Sequence, residues 1–211
     1  MNLLLDFDGV LFNNKNVHSI VADRSVAFVK QCLNLNTYRE ARFVNRALFP
    51  LKGHTALIFE NNPNAVLDYN KMVFDDKFMY MLPGLVDSQD YEHMMNICRL
   101  RNRLSENVRV GLCTNTTFSY CQEIMNALGT SVDEVFDDVF TSDYGLVKPQ
   151  TAFWNDVEHQ LDKSNPILLL DDSPLNIQGV QALKKPRWKS VLISDPESLY
   201  LFLEFLISNN F

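Results

Sequence analysis

Five short apolar runs, set among longer stretches of helical periodicity, restrict the folds open to this chain more than any other feature. They cover residues 2–5, 108–113, 138–140, 167–170 and 189–193. The first and fourth are continuous in leucine or isoleucine and do not alternate with polar residues, the pattern of strands covered on both faces. Between the later runs, residues 118–128, 151–161, 175–183 and 198–206 carry apolar residues at helical spacing. Such alternation predicts βαβ units, and therefore an α/β fold around a mainly parallel sheet.

The first two runs are far apart. Residues 13–104 hold no good strand candidate; segments 17–33, 38–48, 64–74 and 89–104 read as helices, punctuated by Pro50, Pro63 and Pro83. A parallel crossover needs only about a dozen residues. The surplus predicts a helical insert over residues 16–81, with 89–104 as the true crossover and a core formed by 1–15 and 82–211. A chain of 211 residues buries roughly 70% of its unfolded surface and needs no disulfide or metal staple. Its four cysteines, Cys32, Cys98, Cys113 and Cys121, form no CxxC pair, so free thiols in a reducing compartment are expected.

Charge narrows the partners. Lys and Arg total 19 against 26 Asp and Glu, a net charge of −7, which argues against nucleic acid as the main partner. The apolar opening of the chain lacks a basic flank and is interrupted by Asp6 and Asp8. The apolar stretch 199–207 is too short to span a bilayer and carries Glu204. The expectation is a soluble, cytoplasmic protein with no membrane partner.

Chemistry collects where the apolar runs end. Asp6-Phe7-Asp8-Gly9 follows the first, with two carboxylates on one side if the strand stays extended that far. Thr114-Asn115-Thr116 follows the second, where a hydroxyl and free N–H groups beside a helix start suit an anion such as phosphate. Asp171-Asp172-Ser173 follows the fourth; an N-cap role accounts for Asp172 or Ser173 but not for Asp171. Lys148 stands just before Pro149 and a predicted helix. In open parallel sheets, ligands bind at this edge, where strand order reverses. Paired acids there repel unless a cation or proton relieves them. A hard ion such as Mg²⁺, with oxygen ligands, would tie them together and leave one carboxylate free to attack phosphorus.

The ordered set Asp6-x-Asp8, Thr114, Lys148 and Asp171-Asp172 resembles the four-motif signature of the haloacid dehalogenase-like (HAD) superfamily, in its helical-cap phosphatase type. Residues 81–85, with Pro83-Gly84, and residues 135–149 resemble further family segments, while residues 16–81 match a cap in length and helicity alone. The resemblance implies a Rossmann-like sheet ordered 5-4-1-2-3 with an inserted α-helical cap. It further implies a Mg²⁺-dependent phosphatase acting on a small phosphorylated metabolite, a sugar phosphate or a nucleotide, through an aspartyl-phosphate. Asp6 would be the nucleophile and Asp8 the general acid and base. Asp6, the Asp8 main chain, Asp171 and Asp172 would hold the metal, and Thr114, Asn115 and Lys148 the phosphate. Asp8 separates this reading from the dehalogenases, whose leaving halide needs no proton donor. A phosphomutase of the same family and a non-catalytic binding or regulatory protein are the alternatives. In the insert, residues 50–55 resemble the specificity loop of helical-cap members, with Lys52 and His54 meeting the substrate; an ordinary helix–helix turn has the same composition.

Overall fold

The computed structural model describes residues 1–59 and 61–209. In chain order, strand β1 (Asn2–Leu5) is followed by helices α1 (Lys15–Cys32), α2 (Tyr38–Lys52), α3 (Ala65–Val73), α4 (Asp76–Met81) and α5 (Ser88–Arg101). Then come β2 (Arg109–Cys113), α6 (Phe118–Ala127), α7 (Val132–Val135), β3 (Asp138–Phe140) and α8 (Thr151–Gln160). β4 (Ile167–Asp171), α9 (Pro174–Ala182), β5 (Trp188–Leu192) and α10 (Pro196–Ser208) complete the order. The five strands form one parallel sheet ordered β3-β2-β1-β4-β5.

The leucines of β1 explain why it lies in the middle. Leu3, Leu4 and Leu5 are at most 2% exposed, and each such side chain contributes about 1.5–3 kcal/mol when taken out of water. Leu3 and Leu5 face the cluster holding Ile97 of α5, Ile124 of α6 and Leu203 of α10. Leu4 faces the opposite cluster, with Trp154 of α8, Val180 of α9 and Trp188. A strand buried on both sides has no solvent face to satisfy, so continuous leucine suits it.

Helices α1–α4 all lie between β1 and α5. α1 and α2 share a small core of their own at Val26, Val29 and Ala41, while Phe28, Tyr69, Phe74 and Phe78 join the large core beside the sheet. Asn14 sets where the insert begins. Its Oδ1 accepts from the N–H groups of Asn16 and Val17, capping α1. Its Nδ2 donates to the Leu85 carbonyl at 3.1 Å and to Asp90 of α5 at 2.7 Å. One buried amide therefore pins the start of α1 to the start of α5.

α2 departs from the sequence expectation. Pro50 was expected to break the helix, yet it lies inside α2, which runs on to Lys52 and ends on Gly53 in the left-handed conformation at φ 77°. Pro50 lies on an exposed stretch of the last turn, where an unpaired carbonyl one turn back meets water. The Thr37–Glu40 capping box at the other end also holds the helix. The consequence is local: residues 50–52 belong to a helix, and the connecting turn begins at Gly53.

Candidate active site

β1, β2 and β4 are in register, so Leu5 pairs with both Leu112 and Leu170. The chain thus delivers Asp6, Thr114 and Asp171 to one edge of the sheet, as expected for adjacent parallel strands. Asp6 is buried, and its N–H continues the ladder to the Leu170 carbonyl. Its Oδ1 accepts from the Phe7 N–H at 2.7 Å and meets Lys148 Nζ at 3.0 Å.

Lys148 is fully buried. Its ammonium also donates to Asp171 Oδ2 at 2.6 Å and to the Cys113 carbonyl at 2.8 Å. An ammonium has three donors, and all three are engaged. Burial opposes its charge, but Asp171 and Asp6 outweigh that and hold its pKa above the usual lysine range. Asp171, likewise buried, accepts from Ser173 N–H at 2.8 Å and from Asn176 Nδ2 at 2.9 and 3.1 Å on its two oxygens. Both its oxygens are therefore occupied.

Asp172 is the exposed member of this group. Partial burial, reinforced by the charge of Asp171, lifts its pKa to about 6. Asp6 is raised as well: burial dominates, Lys148 opposes it, and Asp171 and Asp172 add to it. Asp6, Asp171 and Asp172 can each place a carboxylate oxygen within 4.8 Å of the others. Three hard oxygen donors, two of them with ionisation suppressed chiefly by burial and further by neighbouring carboxylates, match a Mg²⁺-type cation.

Gly9 permits this crowding. Its φ is +83°, and a Cβ there would lie 2.2 Å from Asp172 Oδ2, so only glycine lets the Asp6–Asp8 turn approach Asp172 so closely. Asp8 beyond it is half-buried, and its Oδ1 accepts from Tyr120 OH at 2.9 Å and contacts His18 Nε2 at 3.2 Å. Partial burial works against a charged His18, but the hydrogen bond and charge of Asp8 raise its pKa overall.

Asp6, Asp8, Gly9, His18, Tyr120 and Asp172 line a cavity of about 580 Å³ whose other side is formed by the insert. Thr114 lines it, and its Oγ1 accepts from the Thr116 N–H at 3.3 Å. Asn115 also lines it, with its side-chain amide clamped to the Lys148 main chain through bonds of 2.6 and 3.0 Å. His54 reaches it from the insert. Its Nδ1 accepts from the Ala56 N–H, and the ring hydrogen-bonds the Asn115 main chain. Burial lowers its pKa to about 4, so the imidazole is neutral near pH 7. Lys52, half-buried in the last turn of α2, is not among the described lining residues.

No protein-family model matches the sequence, and no curated protein does. Solved structures do match. CbbY from Rhodobacter sphaeroides, in complex with phosphate, superposes with a TM-score of 0.57 at 16% identity, over 90% of this chain and 84% of that one. A HAD phosphatase from Thermococcus onnurineus superposes with a TM-score of 0.53 at 16% identity, over 91% of this chain and 85% of the other. A mutant form of CbbY in complex with xylulose-(1,5)bisphosphate gives 0.57 at 15% identity. The chain has the HAD fold.

Within that HAD fold, the structure brings Asp6, Asp8, Thr114, Asn115, Asp172 and His54 to one cavity, with Lys148 and Asp171 directly beneath Asp6. Sequence reasoning did not single out Tyr120, Tyr69 or Asn176. Tyr120 is 112 residues from Asp8 in the chain and follows the apolar pattern of α6, so nothing local marks its hydroxyl. Asn176 lies in the first turn of α9, a position ordinary for a polar residue. Among the described residues, no helix is long and apolar enough to cross a membrane.

Proposed function

We propose that this chain is a Mg²⁺-dependent phosphatase that hydrolyses a small-molecule phosphate monoester through an aspartyl-phosphate. The observation that carries this reading is the pairing of Asp6 with Asp8 at the floor of the cavity, one clamped by Lys148 and the other held by Tyr120 and His18. The similarity to CbbY and to the archaeal phosphatase in fold is consistent with it.

The acids Asp6, Asp171 and Asp172 fit a divalent ion by donor type and spacing. These three carboxylates, with the Asp8 main chain, would hold the ion. When bound, Mg²⁺ supplies the positive charge that lets a phosphate dianion approach a carboxylate. Lys148 and the Phe7 N–H hold Asp6 Oδ1 and fix the orientation of the carboxylate that attacks phosphorus. Asp6 forms a bond to phosphorus as the ester oxygen leaves, and Asp8 gives that oxygen its proton. Asp8 then takes a proton from the water that attacks the phosphoryl group, releasing inorganic phosphate and restoring Asp6. Thr114 and the main chain beside it orient the phosphate oxygens, each donor contributing on the order of 2–4 kcal/mol to the transition state.

The test is hydrolysis of p-nitrophenyl phosphate and a panel of sugar phosphates and nucleotides. Activity is expected with Mg²⁺, to vanish with excess EDTA, and to fall by at least about 1,000-fold in Asp6→Asn. Full activity of Asp6→Asn, or full activity in EDTA, would overturn the reading.

A further inference from the structure

The wall of the cavity opposite Asp6 has an unusual charge balance for a site that takes an anion. Phe49, Tyr69 and Phe74 supply aromatic surface, and Ser25, Asn45 and Thr55 supply neutral hydrogen-bonding groups. Among the described residues, no Lys or Arg lines the cavity. The insert is rich in cations, but they are placed elsewhere. Arg24 of α1 bonds the carbonyls of Met72 and Val73 and pairs with Asp75. Arg42 of α2 pairs with Asp23, and Arg39 and Arg46 are exposed. Lys148 lies beneath Asp6 with every donor used. The two imidazoles do not change the balance: His18 is matched by Asp8 at 3.2 Å, and His54 is kept neutral by burial.

A dianion placed against this wall would lose hydration without gaining a counter-charge. A neutral alcohol portion meets no such penalty. Its apolar face would pack on the aromatic side chains, and its hydroxyl or amide groups would bond Asn45 and Ser25. We infer that the site selects phosphate monoesters whose alcohol portion is uncharged and presents an apolar or flat face, and discriminates against substrates bearing a second phosphate or a carboxylate. This rests on the phosphatase reading above, and it separates the chain from a fold neighbour whose mutant form is in complex with a bisphosphate.

Matched pairs test it: phenyl phosphate against 4-carboxyphenyl phosphate, and xylulose 5-phosphate against xylulose-1,5-bisphosphate, each with Mg²⁺. The neutral member should have the higher kcat/KM by at least about 100-fold. Adding a cation to the wall in Asn45→Arg, or in Ala22→Arg should the first fail to fold, should raise kcat/KM for the charged member at least about tenfold. Charged members turned over within about threefold of their partners would overturn the inference and leave the phosphatase reading standing. If no member is hydrolysed, the phosphatase reading fails. Selectivity is then read from thermal-shift binding of the same pairs to Asp6→Asn, where tighter binding of the charged members overturns the inference.

Discussion

Two side chains in contact with Asp6 or Asp8 owe their character to neighbours rather than to their own chemistry. Lys148 is an ammonium with no access to water, stable only because two carboxylates and a carbonyl surround it. Lys148→Met would leave Asp6 and Asp171 buried without their common cation, and removing one partner from such a group costs about 3–5 kcal/mol. Urea denaturation should show that loss, together with the disappearance of phosphatase activity. Tyr120 acts on Asp8 through a single hydroxyl, while its ring packs 5.0 Å from Phe74 and 6.0 Å from Phe7. Tyr120→Phe keeps the packing and removes the bond. It should lower stability by only about 1 kcal/mol but reduce kcat about tenfold with KM little changed. A KM rise with unchanged kcat would show that Tyr120 shapes binding instead of positioning the acid.

At the scale of elements, the turn after α2 carries the insert's contact with the catalytic edge. Gly53 adopts φ 77°, and a Cβ there would lie 3.0 Å from Pro149 and 3.4 Å from Leu175. The left-handed conformation ends α2, and the close approach brings His54 against the Asn115 main chain. Gly53→Ala therefore meets both backbone strain and a clash with Pro149. It should cost about 1–2 kcal/mol and raise KM more than it lowers kcat, as steady-state kinetics would reveal. Proline predicts a helix end because it removes a donor and crowds the preceding turn, yet α2 continues past Pro50 because the affected turn is exposed and the Gly53 cap closes the helix three residues later.

At the scale of the molecule, the insert is fastened to the sheet by buried polar bonds as well as by its aromatic residues. Asn70 of α3 donates to the Ser142 carbonyl and hydroxyl beyond β3, Asn14 bonds Leu85 and Asp90, and His54 bonds Asn115. The last of these is sensitive to pH. The folded protein keeps His54 neutral down to about pH 4, whereas the unfolded chain takes up the proton near 6.5. Between those values the unfolded state binds more protons, so the contribution of His54 is complete above pH 6.5 and is lost as pH falls toward 4, on the order of 3 kcal/mol in all. Urea denaturation of the wild type and His54→Gln across this range should give a difference curve with that slope; a flat difference would dismiss the account. The strand ends were legible from the start, because a leucine run ending in Asp6 or Asp171 states both its burial and where its charge must emerge. What no reading along the chain supplied was Tyr120 against Asp8, the occupied oxygens of Asp171, or the uncharged wall above them. The placing of acids at strand ends follows from local periodicity, and the strand order from what the motifs resemble; parallel strands in register then bring those ends to one edge. The protonation of His54, the exposure of Asp172 beside a sealed Asp171, and the sorting of the insert's cations away from the cavity depend on which surfaces meet after folding, and burial and pairing are properties of that meeting alone.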